Sequence, residues 1–243
     1  MIDIHNHIIP GLDDGAVDLP MALSMLQMAQ EQGVTHLVCT PHMHAGRYDN
    51  DIDTIRKHFN RLLEALCHSE LSIELAMAAE VRISDDFMYQ LTQGKVPFIG
   101  QWEGRSAILL EMPHAHIPPG IDRLIEWLQQ QGYQPVIAHP ERNKDIIKVP
   151  QEALALAERG VLFQLTAGSV TGQFGESARA TAHWLLTRNL VHFMASDAHR
   201  IARRAPAMGE AYADVVQRYG EVMARQLTVI NPRKLTASLF NQE

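Results

Sequence analysis

The chain has 243 residues, 46% of them hydrophobic, with 21 Lys and Arg against 28 Asp and Glu and a formal net charge of −7. That length and apolar content suit one α/β barrel or one to two smaller domains, and the acidic balance offers no general basic field for a nucleic-acid backbone. No apolar run reaches the roughly 18 residues of a membrane span, no basic leader precedes the first apolar run, and Cys39 and Cys67 make no disulfide framework, so a cytoplasmic protein with no membrane insertion and no nucleic-acid partner is expected.

The first apolar run, residues 2–5, reads as a strand leading into His5-Asn6-His7. Asp18 caps a helix carrying Met21, Met25, Met28 and Ala29, ending near Gly33. A second strand covers residues 35–40, and a helix follows over 51–68 with Ile52, Ile55, Phe59, Leu62, Leu63 and Leu66 at helical spacing. The third strand covers 73–79, and Ser84 caps a short helix after it. Strands over 107–112, 135–139, 162–166 and 191–195 alternate with helices over 121–131, 151–159 and 176–188. A helix over 207–219 follows, and Asn231-Pro232 opens a last one, cap and first-turn proline in order. Most strand runs are continuously apolar, as parallel strands covered on both faces require. The βα rhythm recurs seven times without a linker, predicting one domain over residues 1–243 built as a closed or nearly closed parallel barrel. A doubly wound open sheet is the alternative, but no GxGxxG or P-loop follows any strand.

The chemistry collects at the C-terminal strand ends. Residues two apart on a strand point the same way, so His5 and His7 stand roughly 7 Å apart on one face, close enough to share a metal ion. The second strand runs into Pro41-His42, the third into Glu80, the fourth into Glu111, the fifth into His139 and the seventh into Asp197-Ala198-His199. In a barrel these ends converge on one pocket. A single His or Glu at a strand end is an ordinary loop hydrogen-bonder; six ends carrying only His, Asp or Glu point to a metal cluster. Imidazoles mixed with carboxylates suit zinc, manganese or iron(II). Clustered cations lower the pKa of bound water and clamp a substrate oxygen, which points to hydrolysis, of phosphate esters before amides. Asp13-Asp14-Gly15 by itself is an Asp-Gly turn, and a turn can carry a ligand. Neither cysteine has an arginine six positions later, where Ala45 and Ile73 stand, so there is no CxxxxxR phosphatase loop.

Met1-Ile2-Asp3-Ile4-His5-Asn6-His7, Asp13-Asp14-Gly15, Pro41-His42, Glu80, Glu111, Ile137-Ala138-His139-Pro140-Glu141-Arg142, Ala195-Ser196-Asp197-Ala198-His199 and Asn231-Pro232-Arg233-Lys234 together resemble the PHP (polymerase and histidinol phosphatase) superfamily. Within it the chain resembles the capsule-operon, manganese-dependent protein-tyrosine phosphatases of the CpsB/YwqE type, with comparable spacings along essentially its whole length. The resemblance implies a distorted (β/α)7 TIM-like barrel and a trinuclear centre, Mn²⁺ first, with Fe or Zn as alternatives. It assigns His5, His7, Glu80 and Asp197 to the first metal, Glu80, Glu111 and His139 to the second, and Asp14, His42 and His199 to the third. Asp14 stands where many other PHP enzymes have a histidine. Arg142 and Arg204 are implied to bind the phosphate, a task that guanidinium forks suit; Arg203 competes with Arg204 for this role. Arg47 and His44 are further candidates for the pocket, and His114 and His116 read as rim-loop residues. The implied reaction is phosphotyrosine hydrolysis by a metal-bridging hydroxide attacking in line with the leaving phenolate. A metal-bound water or Asp13 would serve as the acid. The implied partner is the tyrosine-rich tail of a bacterial kinase that controls capsule or exopolysaccharide export. The rivals are another PHP phosphoesterase acting on histidinol phosphate or a small ester, a TatD-type metal-dependent nuclease, an amidohydrolase, and a silent binding partner of such a kinase.

Overall fold

A computed structural model describes residues 1–240. Its strands are β1 (Ile2–Asp3), β2 (His36–Cys39), β3 (His42–Met43), β4 (Glu74–Met77), β5 (Glu80–Arg82), β6 (Gln101–Trp102), β7 (Arg105–Glu111), β8 (Tyr133–Ala138), β9 (Leu162–Thr166) and β10 (Phe193–Ala195). The helices are α1 (Leu19–Glu31), α2 (Ile52–Cys67), α3 (Asp85–Thr92), α4 (Ile121–Gln130), α5 (Lys144–Lys148), α6 (Glu152–Glu158), α7 (Ala167–Thr171), α8 (Glu176–Thr187), α9 (Met208–Tyr219), α10 (Glu221–Arg225) and α11 (Asn231–Phe240). The side chains of Asp18, Asp51 and Ser84 cap α1, α2 and α3 by accepting from the amides of Met21, Thr54 and Phe87, which satisfies donors that a helix start leaves free.

The parallel strands form two sheets, β1-β2-β4 and β10-β9-β8-β7-β5-β3, with β6 antiparallel on β7. This differs from one continuous barrel ladder, and the reason lies in the second and third predicted strands. Each is broken in two, at Thr40-Pro41 and at Ala78-Ala79. Pro41 has no N–H to give the ladder. The register survives the break: His36 pairs with Glu74 before it, and His42 with Glu80 after it. Ala78 N donates to Cys39 O at 2.8 Å and Glu80 N to Pro41 O at 3.1 Å, so the two strands bend together. The bend carries His42 and Glu80 beyond the first sheet and into the second. The outer strands meet through a parallel bridge between Asn6 and Ala198, with Asp197 N donating to His5 O at 2.7 Å.

Burial alternates along the strands. Leu109, Val136, Ala138, Phe193 and Ala195 join Ile2, Ile4, Val38 and Ala78 in one apolar cluster that Ile99 and Leu235 complete. Their neighbours Ile108, Leu110, Ile137, Phe163 and Met194 face the helices in the larger cluster. Both faces are therefore covered, as the continuous apolar runs require. Helix α11 closes against the inner cluster at Gly100, where an added Cβ would lie 2.0 Å from Leu235 O.

The last helix departs from expectation. Asn231 is helical, with φ −65° and ψ −45°, and caps nothing; a π-helical turn over residues 226–230 joins α10 to α11. The widened turn frees backbone groups just where Pro232 would otherwise disrupt an α-helix. The Asn231 amide instead donates to His192 O at 2.8 Å. Among the described residues no helix is long and apolar enough to cross a membrane.

Candidate metal centre

The strand ends place the expected ligands in one cluster. His5 Nε2 lies 3.3 Å from His7 Nε2. Each of these nitrogens lies 3.3 Å from Glu80 Oε2 and 3.4 Å from Asp197 Oδ1. Donor atoms 3.3–3.4 Å apart are close enough to share one divalent cation, whose bonds to imidazole and carboxylate run about 2.0–2.2 Å. His139 Nε2 is 2.8 Å from Glu80 Oε1. His42 Nε2 and His199 Nε2 each lie 3.6 Å from Asp14 Oδ1. His42 Nδ1 and Glu80 Oε2 face each other at 2.9 Å, yet both, like Asp14 Oδ1, are buried without a hydrogen-bond partner. Buried polar atoms left this way cost free energy unless something else engages them. These donor atoms fit a metal site.

Two of the residues are held by strained backbone. His139 at the end of β8 has φ +34° and Asp197 after β10 has φ +50°. Side chains other than glycine rarely adopt such values, and strain of this kind collects at functional sites.

The charge state suits cations. Burial and Arg142 push His139 down to about 3, and burial and His7 push His199 down as well. Both imidazoles are therefore neutral and offer a lone pair. Burial alone would raise the Glu80 and Asp197 carboxyls. His5 and His42 instead hold Glu80 well below its usual range, and His5, Arg204 and Arg142 do the same for Asp197. Burial also opposes a charge on His5, yet Glu80 and Asp197 raise its pKa. The buried carboxylates thus demand positive charge, which protons or cations supply in competition.

A cleft of about 290 Å³ opens above this floor, lined by Asp14, His42, Glu80, Glu111, His139, Asp197 and His199 together with Arg142 and Arg204. His5 and His7 lie beneath it, fully buried. Both arginines reach the same oxygen, Asp197 Oδ2. Arg204 rather than Arg203 faces the cleft; Arg203 is exposed and lines only an adjacent surface hollow. His44 and Arg47 line the cleft too. His114 also lines it, half-exposed, accepting from Arg142 Nη2 at 3.0 Å. His116 lies outside it and offers its carbonyl to Asn143.

One expectation needs correcting. Asp13 is no candidate for the acid. Its side chain is buried behind His7, accepting from His7 Nδ1 at 2.7 Å, His42 N at 2.9 Å and Gly15 N at 2.9 Å. Burial would raise its pKa, but the His7 imidazole lowers it, so the group stays a carboxylate, and it does not line the cleft. The donor groups also overlap one another. His139 clusters with His5 and Asp197, whereas Glu111 clusters with His42 and Glu80. Arg82 draws the Glu111 carboxylate to it at 3.2 Å.

Other residues escaped the sequence. The His5 Nδ1–H donates to Gln164 Oε1 at 2.7 Å and so leaves Nε2 facing the cluster; an inward glutamine on an apolar strand was the available signal. Tyr48 stacks on His42 with an interplanar angle of 5°. Asp3 accepts from Ser196 Oγ at 2.6 Å and from Ser196 N at 3.0 Å, tying the first strand to the last beside the ligands.

The family described as capsular polysaccharide synthesis, CpsB/CapC, matches residues 1–237. The chain belongs to this family. It is 35% identical over 228 residues to the tyrosine-protein phosphatase YwqE of Bacillus subtilis, covering 94% of this chain and 89% of that one. It is 36% identical over 214 residues to the putative tyrosine-protein phosphatase CapC of Staphylococcus aureus, covering 88% and 83%. In three dimensions this CpsB/CapC chain superposes with a TM-score of 0.91 and 33% identity on a solved structure reported with YwqE from Bacillus subtilis and CpsB from Streptococcus pneumoniae, described as unique metal-dependent tyrosine phosphatases. That match covers 98% of this chain and 95% of the other.

Proposed function

We propose that this protein is a metal-dependent protein-tyrosine phosphatase. The observation that carries the reading is the pair of buried imidazoles of His5 and His7, whose Nε2 atoms each lie 3.3–3.4 Å from both Glu80 and Asp197, beneath a cleft that two arginines enter. His5, His7, Glu80 and Asp197 hold one cation. Glu80 is shared with Glu111 and His139, and Asp14, His42 and His199 complete a trinuclear site, with Mn²⁺ the favoured metal. The two sheets act together as one distorted (β/α)7 barrel in a single domain. The protein works in the cytoplasm on the phosphorylated tail of a bacterial tyrosine kinase that controls capsule or exopolysaccharide synthesis.

When bound, the cations polarise a phosphoryl oxygen and lower the pKa of water. Arg142 and Arg204 grip the equatorial phosphoryl oxygens, where bidentate guanidinium donors offset the charge of phosphoryl transfer. Water displaces the phenolate in line. A phenol with a pKa of about 10 leaves without a strong acid, in keeping with the burial of Asp13. Neither Cys39, buried, nor Cys67, on α2, lines the cleft, so no thiol nucleophile is at hand.

Turnover of phosphotyrosyl peptide, phosphoseryl peptide, histidinol phosphate and single-stranded DNA, each with Mn²⁺ and then with chelator, tests the proposal. Phosphotyrosyl peptide is turned over fastest, and chelation abolishes the activity. Chelator-resistant turnover sinks the mechanism, and a preference for histidinol phosphate or DNA moves the protein to a rival class.

Asp13 fixes the ring of His7 from behind, so Asp13→Asn weakens metal binding by about 10–100-fold. Its kcat at saturating Mn²⁺ changes little. A large kcat loss at saturating metal, growing as the leaving group becomes more basic, would return Asp13 to the acid role.

A further inference from the structure

Both cleft arginines stand over one aromatic ring. The Arg142 Cζ lies 4.6 Å and the Arg204 Cζ 5.3 Å from the centroid of Phe174. Both lie within the roughly 6 Å reach of cation–π attraction. The same two cations converge on Asp197 Oδ2. Like charges crowded into one corner repel, and the repulsion grows as water is excluded. A common anchor must offset it. Asp197 is one, but as a proposed metal ligand it shares its charge with a cation. The remaining polar partners are not shared: Arg142 Nη2 donates to His114 Nε2 at 3.0 Å, and Arg204 Nη1 to His199 Nε2 at 3.1 Å.

An aromatic ring suits this duty chemically. Its quadrupole attracts a guanidinium without accepting the in-plane N–H donors. A carboxylate or carbonyl platform would take those donors and compete with phosphoryl oxygens. The ring therefore holds both cations without itself taking their donors.

The local chain is built to present this ring. After β9 and α7, Gly172 at φ +92° and Gly175 at φ +87° bracket Gln173-Phe174 in a tight excursion. Such angles favour glycine. The ring edge leans on α7 at Gly168, where an added Cβ would lie 2.9 Å from Phe174 Cε2 and 2.7 Å from Gln173 Oε1. Any side chain at residue 168 displaces the ring.

We propose that Phe174 is a positioning residue that carries both phosphoryl-binding arginines on its ring without taking any of their in-plane donors. The proposal rests on the phosphoryl-binding role given above to Arg142 and Arg204. In Mn²⁺-loaded protein, Phe174→Ala and Phe174→Leu each lower kcat/KM on a phosphotyrosyl peptide by about 10–100-fold, the range set by two cation–π contacts. Both also weaken inhibition by inorganic phosphate. Phe174→Tyr, which keeps the π face, stays within about threefold of wild type. Gly168→Ala, which moves the ring without removing it, falls between. Melting temperature and bound Mn²⁺ stay at wild-type values throughout.

Wild-type kinetics and phosphate inhibition in Phe174→Leu would overturn the proposal, because apolar bulk would then suffice. Loss of Mn²⁺ or of melting temperature in parallel with activity would overturn it too, by making Phe174 a packing residue. Failure of the wild type on phosphotyrosyl peptide defeats the functional reading instead, and phosphate binding across the same variants then decides the role of Phe174.

Discussion

Glu80→Gln is expected to lower kcat on a phosphotyrosyl peptide by about a thousandfold or more and to lower the metal content of the purified protein. Glu80 is fully buried. Its Oε2 lies 3.3 Å from His5 Nε2, 3.3 Å from His7 Nε2 and 2.9 Å from His42 Nδ1, and its Oε1 lies 2.8 Å from His139 Nε2. No other carboxylate in the cluster touches four imidazoles. Glutamine keeps the volume but removes the charge and puts two N–H donors where ligand atoms must converge on a cation. A catalytic cation contributes several kcal/mol of transition-state stabilisation, and each ~1.4 kcal/mol is tenfold in rate, which gives the magnitude. Metal analysis and single-turnover kinetics on the same preparation check it. Full metal occupancy with wild-type turnover would remove Glu80 from the centre of the site.

The second large effect belongs to the arginines. Arg142→Ala and Arg204→Ala are each expected to lower kcat/KM by about 10²–10³-fold, the usual cost of removing one preorganised donor to a developing charge. Bound metal stays unchanged, because neither guanidinium is a ligand. Lysine does not restore activity at either position. Its ammonium is a point charge and cannot reproduce two parallel donors on two phosphoryl oxygens. Wild-type kinetics in Arg204→Ala together with a large loss in Arg203→Ala would reverse the choice between the neighbours. That choice follows from burial: Arg204 reaches Asp197, whereas Arg203 is exposed.

The strand-end chemistry was legible because two local rules combine. Side chains alternate along a strand, and parallel α/β folds gather their sites at C-terminal strand ends. His5 and His7 two apart, Glu80 and Glu111 closing apolar runs, and Asp197-Ala198-His199 after the last strand needed nothing further. The caps at Asp18, Asp51 and Ser84 were equally local. Asp13 was misread because an Asp-Gly turn does not say which way its first carboxylate points. Phe174 gave no signal, since one aromatic between glycines is ordinary loop composition. The break at Pro41 was visible as a residue but not as a bend shared by two strands, which depends on the partner at Ala78-Ala79.

By itself, then, the sequence pointed to the class of chemistry: imidazoles and carboxylates without thiolates, on an alternating βα frame, are a donor set that suits metal. Tertiary structure decided the division of labour. It put His139 beside His5 and Asp197, gave Glu111 to His42 and Arg82, turned Asp13 into the support of His7, and set Arg142 and Arg204 over one ring. Residue type and strand periodicity are properties of short stretches of chain. Which carboxylate meets which imidazole depends on the bend at Pro41, the left-handed backbone at His139 and Asp197, and the path of the loop through Phe174, and these are set only when distant strands pack.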